Sequence, residues 1–134
     1  AMGLAKENFT ALDLIDRVTC FRGSWEDWTG WPECDLIVSN PPYIRSDVLP
    51  TLAPEVKSSD PRDALDGGTD GLDAYRSLIQ HAGTRLKPGA VLVLEIGFDQ
   101  RASVSKLLTD NGLTVLEARQ DLAGHDRAIA VQKR

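Results

Sequence analysis

The chain has 134 residues, 42% apolar and 26% charged, with a net charge of −5. That length and balance describe one globular domain able to bury a core. No run approaches the ~18 apolar residues that a membrane span needs, and no signal peptide opens the chain. The acidic balance argues against phosphate-backbone binding, which needs clustered Lys and Arg.

Met2, Ala5, Phe9 and Leu12 fall at helical spacing over residues 2–13. Residues 19–21 are a short strand candidate that ends at Gly23-Ser24-Trp25. The run Asp35-Leu36-Ile37-Val38-Ser39 reads as a buried strand, and it stops at Asn40-Pro41-Pro42-Tyr43. From Pro41 to Gly71 the chain holds five prolines and three glycines without a sustained period. A loop that long inside a compact domain is usually functional. Leu72, Tyr75, Leu78, Ile79, Ala82 and Leu86 then mark an amphipathic helix, stopped by Lys87-Pro88-Gly89. Residues 91–96 are apolar except for Glu95, the pattern of a strand covered on both faces. A further helix over 100–111 ends at Asn111-Gly112. Two closing strands, 113–118 and 128–132, flank a polar turn at Gly124-His125-Asp126. The order predicts an α/β sheet, mostly parallel, with an antiparallel edge from the last two strands.

Cys20 and Cys34 lack metal-ligand or redox spacing and read as buried free thiols. His81 and His125 have no evident Cys or Asp partner and read as structural or surface residues, so no metal is expected.

The tetrapeptide at 40–43 carries chemistry. Ligands of open α/β sheets bind at the carboxyl ends of strands. Asn40 offers a carbonyl acceptor, and Pro41 keeps a carbonyl while lacking an N–H. Two such acceptors match the two N–H bonds of a primary amide or an exocyclic amine. Pro41 and Pro42 stiffen the turn, and Tyr43 adds a flat face. The arrangement suits methyl transfer to a planar nitrogen, driven by alignment without a general base. By chance the tetrapeptide occurs in on the order of one chain of this length in a few thousand.

Asn40-Pro41-Pro42-Tyr43-Ile44 resembles the signature of amino-group methyltransferases that use S-adenosylmethionine. Glu55-Val56, Asp60-Pro61, the stretch from Ala64 through Gly67-Gly68-Thr69-Asp70-Gly71 to Leu72, and Tyr75-Arg76 narrow the likeness. So do Leu94-Glu95-Ile96-Gly97 with Gln100, and Asp121-Leu122-Ala123-Gly124 with Asp126-Arg127. Together these residues resemble the HemK/PrmC family of protein-(glutamine-N5) methyltransferases of peptide chain release factors. The resemblance implies N5-methylation of the Gln in the Gly-Gly-Gln motif of class 1 release factors, with S-adenosylmethionine as cofactor, in the cytoplasm. On that pattern Asn40, Pro41, Pro42 and Tyr43 form the catalytic turn, and Ser24, Trp25 and Asn40 lie on the cofactor side. Ser24 stands where the family often has Asp, and Asp60 where it usually has Glu. Glu95 is open between a crevice-facing role and a pairing with backbone or Arg. Residues 67–71 read as a helix-entry loop, because they lack the strand and Lys of a phosphate cradle.

The resemblance also implies a Rossmann-like class I methyltransferase sheet of order 3-2-1-4-5-7-6. Residues 1–134 correspond to the C-terminal part of that catalytic domain. The Gly-rich donor loop, the first two strands and the N-terminal helical domain are absent from the sequence. The expected consequences are an exposed apolar edge at 35–39, self-association through it, and weak or no donor binding. The alternatives are a DNA or RNA adenine N6 methyltransferase sharing the tetrapeptide, or a non-catalytic dimerisation or docking fragment.

Overall fold

A computed structural model describes residues 2–54 and 61–134. Glu55, Val56 and Asp60, which contribute to the family resemblance, lie outside the described residues.

Helix α1 spans Met2–Ala11 and buries none of its residues. Strand β1 is Leu36–Ser39, helix α2 is Asp73–Arg85, and strand β2 is Val91–Glu95. Helix α3 is Arg101–Asp110, followed by β3 at Leu113–Gln120 and β4 at Asp126–Lys133. The strands lie in the order β1-β2-β4-β3. β1 runs parallel to β2, and β4 is antiparallel to both β2 and β3. Three strands therefore point one way, and the last strand inserts between β2 and β3. This is the 4-5-7-6 portion of the expected order. The antiparallel strand is interior and not at the edge, because its Ile129 and Val131 carry core side chains.

One face of the sheet is closed. Leu92 pairs with Val131 and Leu94 with Ile129, and all four are fully buried. Opposite partners point to the same side. Tyr75, Leu78, Ile79 and Ala82 of α2 recur at helical spacing and join this core with Val104 and Leu108 of α3. α2 and α3 touch each other, α3 touches β3 and β4, and α2 joins the strands through the shared core and the Tyr75 bond to the Glu95 carbonyl.

The other face is open. Val91, Val93 and Glu95 alternate with the buried residues of β2 and are only half-buried. On β1, Leu36 and Val38 are 57% and 70% exposed. The apolar run of β2 predicts cover on both faces; among the described residues nothing packs over the second. β1 is an edge strand with exposed apolar residues, as expected from the sequence. None of its residues is buried, so the reading of 35–39 as a buried strand does not hold. Among the described residues, one of its sides has no pairing strand and one of its faces no cover.

Residues 19–21 carry no strand ladder, contrary to expectation. Three residues offer few bonds, and β1 does not pair with them. The cysteines are free but half-buried, not buried. The long loop contains two short 3-10 turns, Leu49–Thr51 and Arg62–Ala64. No helix among the described residues is long and apolar enough to cross a membrane.

Candidate active site

β1 delivers Asn40 to the carboxyl end of the parallel pair. Ser39 lies opposite Leu94, one residue before Glu95. Among the described residues, the Asn40 side-chain amide has no hydrogen-bond partner, and nothing donates to the Pro41 carbonyl. Pro41 itself is buried, while Pro42 and Tyr43 are half-buried. A cavity of about 110 Å³ opens there, lined by Asn40, Pro41, Pro42, Tyr43, Ile44, Ala64 and Leu65. The four catalytic-turn residues read from the sequence therefore share one cavity.

The turn is braced from two directions. On one side the chain folds back on itself. The Ile44 N–H donates to the Leu65 carbonyl at 3.0 Å, and the Gly67 N–H donates to the Ile44 carbonyl at 2.8 Å. Asp66 accepts from the Ser46 hydroxyl at 2.6 Å and from the Gly68 N–H at 3.0 Å. These bonds, the Ser46 hydroxyl first, hold the Asp66 carboxyl below the usual carboxylate range. A Cβ at Gly67 would sit 2.8 Å from the Tyr43 Cα, and one at Gly71, where φ is +74°, would sit 2.5 Å from the Tyr43 carbonyl oxygen. Residues 67–71 thus support Tyr43 and lead into α2, as the sequence suggests.

On the other side stands the end of β2. The Tyr43 hydroxyl donates to the Glu95 carboxylate at 3.2 Å. Burial, and then the Glu95 charge, raise the Tyr43 pKa above its ordinary value, so the phenol stays protonated. The Tyr75 hydroxyl donates to the Glu95 carbonyl at 2.9 Å. The open question about Glu95 has a geometric answer: its carboxylate is a partner of the site tyrosine. Arg127 reaches the same corner, donating to the Ile96 carbonyl at 3.2 Å and to Asp121 at 3.1 Å.

Sequence reasoning matched Gln100 to the helix start but gave it no role. It is 8% exposed and uses both ends of its amide. Its Oε1 accepts from the Gly97 N–H at 2.9 Å. Its Nε2 donates to the carbonyls of Tyr43 and Gly71, each at 3.1 Å. A lone Gln in a loop has no periodic signature that marks such a role.

Ser24 and Trp25 are not brought to this cavity. The exposed Ser24 hydroxyl donates to Asp27 at 2.8 Å, and the Trp25 carbonyl accepts from the Trp31 indole at 3.0 Å. Arg85, the last residue of α2, donates to the Glu26 carbonyl at 2.8 Å. The turn lies beside the carboxyl-terminal half of α2, whereas Asn40 lies beside the loop that enters the same helix. A wider groove of about 750 Å³ between α1 and residues 20–23 includes none of the nominated site residues. His81 packs against Trp31, and His125 lies near Phe98. Among the described residues no group of three or more His, Cys, Asp or Glu is placed to hold a metal.

The cavity beside Asn40 is large enough for a carboxamide. It is too small for a nucleoside-sized methyl donor, since sites for molecules of that class run to roughly 300–1,000 Å³. The cavity at residues 40–43 therefore fits a carboxamide and not a molecule of the donor's size.

No protein-family model matches the chain. The chain is 45% identical over 129 residues to the release factor glutamine methyltransferase of Caulobacter vibrioides, covering 96% of this chain and 45% of that protein. The corresponding protein of Bradyrhizobium diazoefficiens is 45% identical over 134 residues, 99% of this chain and 45% of its own length. Among solved structures, TrmN from Thermus thermophilus superposes with a TM-score of 0.61 over 99% of this chain and 33% of its own, at 20% identity. That likeness supports the α/β fold alone. The chain is therefore a relative of the release factor glutamine methyltransferases, similar to them along nearly all of its own length and spanning a little under half of theirs.

Proposed function

We propose that this chain is the acceptor-holding, C-terminal part of a cytoplasmic release factor glutamine methyltransferase. In this reading the complete enzyme transfers a methyl group from S-adenosylmethionine to N5 of the Gln in the Gly-Gly-Gln motif of a class 1 release factor. The observation that carries the reading is the pair of unpartnered acceptors, the Asn40 amide oxygen and the Pro41 carbonyl, on a braced turn beside a carboxamide-sized cavity. The release factor named by the relatives is consistent with that chemistry.

An amide nitrogen is a weak nucleophile because its lone pair is delocalised. Asn40 and Pro41 accept its two N–H bonds, which fixes its plane and leaves one face free for attack. Tyr43 lies against the amide and excludes water. Orientation of this kind supplies a large share of a transfer barrier. Ser24 and Trp25 are assigned to the adenine side of the complete enzyme. That assignment requires their turn to move toward Asn40 once the sheet is completed. S-adenosylmethionine supplies a reactive methyl carbon when bound.

The test is methylation of a release factor by the longer enzyme carrying this segment, followed by peptide mass spectrometry. Asn40→Ala is expected to lower turnover by roughly 10²–10³-fold, the scale of losing a positioned polar group. Unchanged turnover would reject the role of Asn40. Methyl transfer to an adenine oligonucleotide instead of the release factor would favour the nucleic-acid reading.

A further inference from the structure

We infer that Glu95 and Gln100 are positioning residues for the acceptor site: from the carboxyl end of β2 they hold Tyr43 at its hydroxyl and at its carbonyl. The inference rests on the reading that Tyr43 flanks the substrate amide.

The geometry is that of a clasp. Tyr43 is the last residue of the catalytic turn, so fixing both its ends fixes where the turn stops. The Glu95 carboxylate takes the hydroxyl at 3.2 Å, and Gln100 Nε2 takes the main-chain carbonyl at 3.1 Å. Both residues are themselves held. Tyr75, fully buried in α2, donates to the Glu95 carbonyl, and the Gly97 N–H donates to Gln100 Oε1. Gln100 also binds the Gly71 carbonyl, so the same amide ties the glycine loop to the turn. A buried amide with its hydrogen bonds satisfied fixes one arrangement, because removing it strands two carbonyls and an N–H. Among the described residues the Asn40 side chain has no hydrogen-bond partner. Its place is set by β1 on one side and, through the two prolines, by Tyr43 on the other.

Neither Glu95 nor Gln100 lines the cavity, so neither is a catalytic residue. Their effect is on alignment. A displacement near 1 Å can cost on the order of 10²-fold in rate. Turnover should therefore fall while KM for the methyl donor stays as in the parent.

The experiment has a structural arm and a kinetic arm. The chain has two tyrosines, so ring-labelled protein gives two tyrosine Cζ resonances, assigned with Tyr43→Phe. In Glu95→Gln the Tyr43 resonance should move toward that of free tyrosine. In Gln100→Ala the main-chain amide signals of Ile44 and Leu72 should shift. In the longer enzyme, Glu95→Gln should lower kcat by about tenfold to a hundredfold. On a Tyr43→Phe background it should lower kcat no further, because the hydroxyl it acts through is gone. A Tyr43 resonance that ignores Glu95→Gln overturns the inference. So does a loss of turnover in Glu95→Gln that multiplies fully with Tyr43→Phe. Should the parent enzyme methylate no glutamine amide, the functional reading fails by itself, and the resonances still decide whether the clasp exists.

Discussion

The two faces of the sheet both carry apolar strand residues and meet opposite fates. Leu92, Leu94, Ile129 and Val131 are sealed under α2 and α3, while Leu36 and Val38 on the reverse side stay mostly exposed. The bare face also carries Val91 and Val93, but beside them stand Glu95 and Gln132. Its apolar residues are interrupted by polar ones, whereas the closed face is apolar throughout the β2–β4 pairing. The site belongs to the closed half in its supports and to the open half in its reach. Tyr75 and Gln100 tie it to the core, whereas Asn40 ends the exposed strand.

Substitutions can sharpen or break this contrast. The largest effect is expected on the closed face: Ile129→Ala or Leu92→Ala should cost about 2–5 kcal/mol in denaturant unfolding. A cost below ~1 kcal/mol at both positions would remove the distinction between the faces. Val93→Ala, half-buried on the open side, should cost about 1 kcal/mol or less. On the proposed reading, in which further segments of a longer enzyme cover that side, the same change should cost more there. Val38→Lys should leave the stability of this chain within ~0.5 kcal/mol, because the side chain is exposed. It should also suppress self-association in sedimentation velocity, since a charge on an open edge blocks strand pairing. Association unchanged by Val38→Lys would move the sticky surface away from β1.

The smallest effect is on pH dependence. Asp66 has a folded pKa below its unfolded value of about 3.9. Its contribution is therefore present above the unfolded pKa and is lost as pH falls through the folded one. Exchange protection of the Gly68 amide should fall in that acid window, and Asp66→Asn should flatten the dependence. Protection that rises on acidification would contradict the sign.

Much of the architecture was legible in the residues. The period of α2, the apolar runs of β1 and β2 and the closing pair of strands are each carried by local pattern. The tetrapeptide at 40–43 located the cavity because strand ends and paired acceptors are physical statements about a few adjacent residues. The rest depends on distant partners. Residues 19–21 have strand character and no neighbour to pair with. The interior place of β4 follows from Ile129 and Val131 meeting β2, which no window of the sequence contains. Gln100 acts across 57 positions to Tyr43. Ser24 and Trp25 match a motif by residue type, while local bonds to Asp27 and Trp31 hold their turn away from the cavity.

The close approach of Gly67 and Gly71 to Tyr43 sets a tolerance for the whole site. A single methyl group at residue 67 would meet the Tyr43 Cα at 2.8 Å. Relief to ordinary contact means a retreat of about half an ångström or more by a tyrosine already fastened at its hydroxyl to Glu95 and at its carbonyl to Gln100. The depth of the cavity beside Asn40 is thus written in atoms that are missing. Enlarging or narrowing it by design is a problem of the loop behind the tyrosine as well as of the residues that line it.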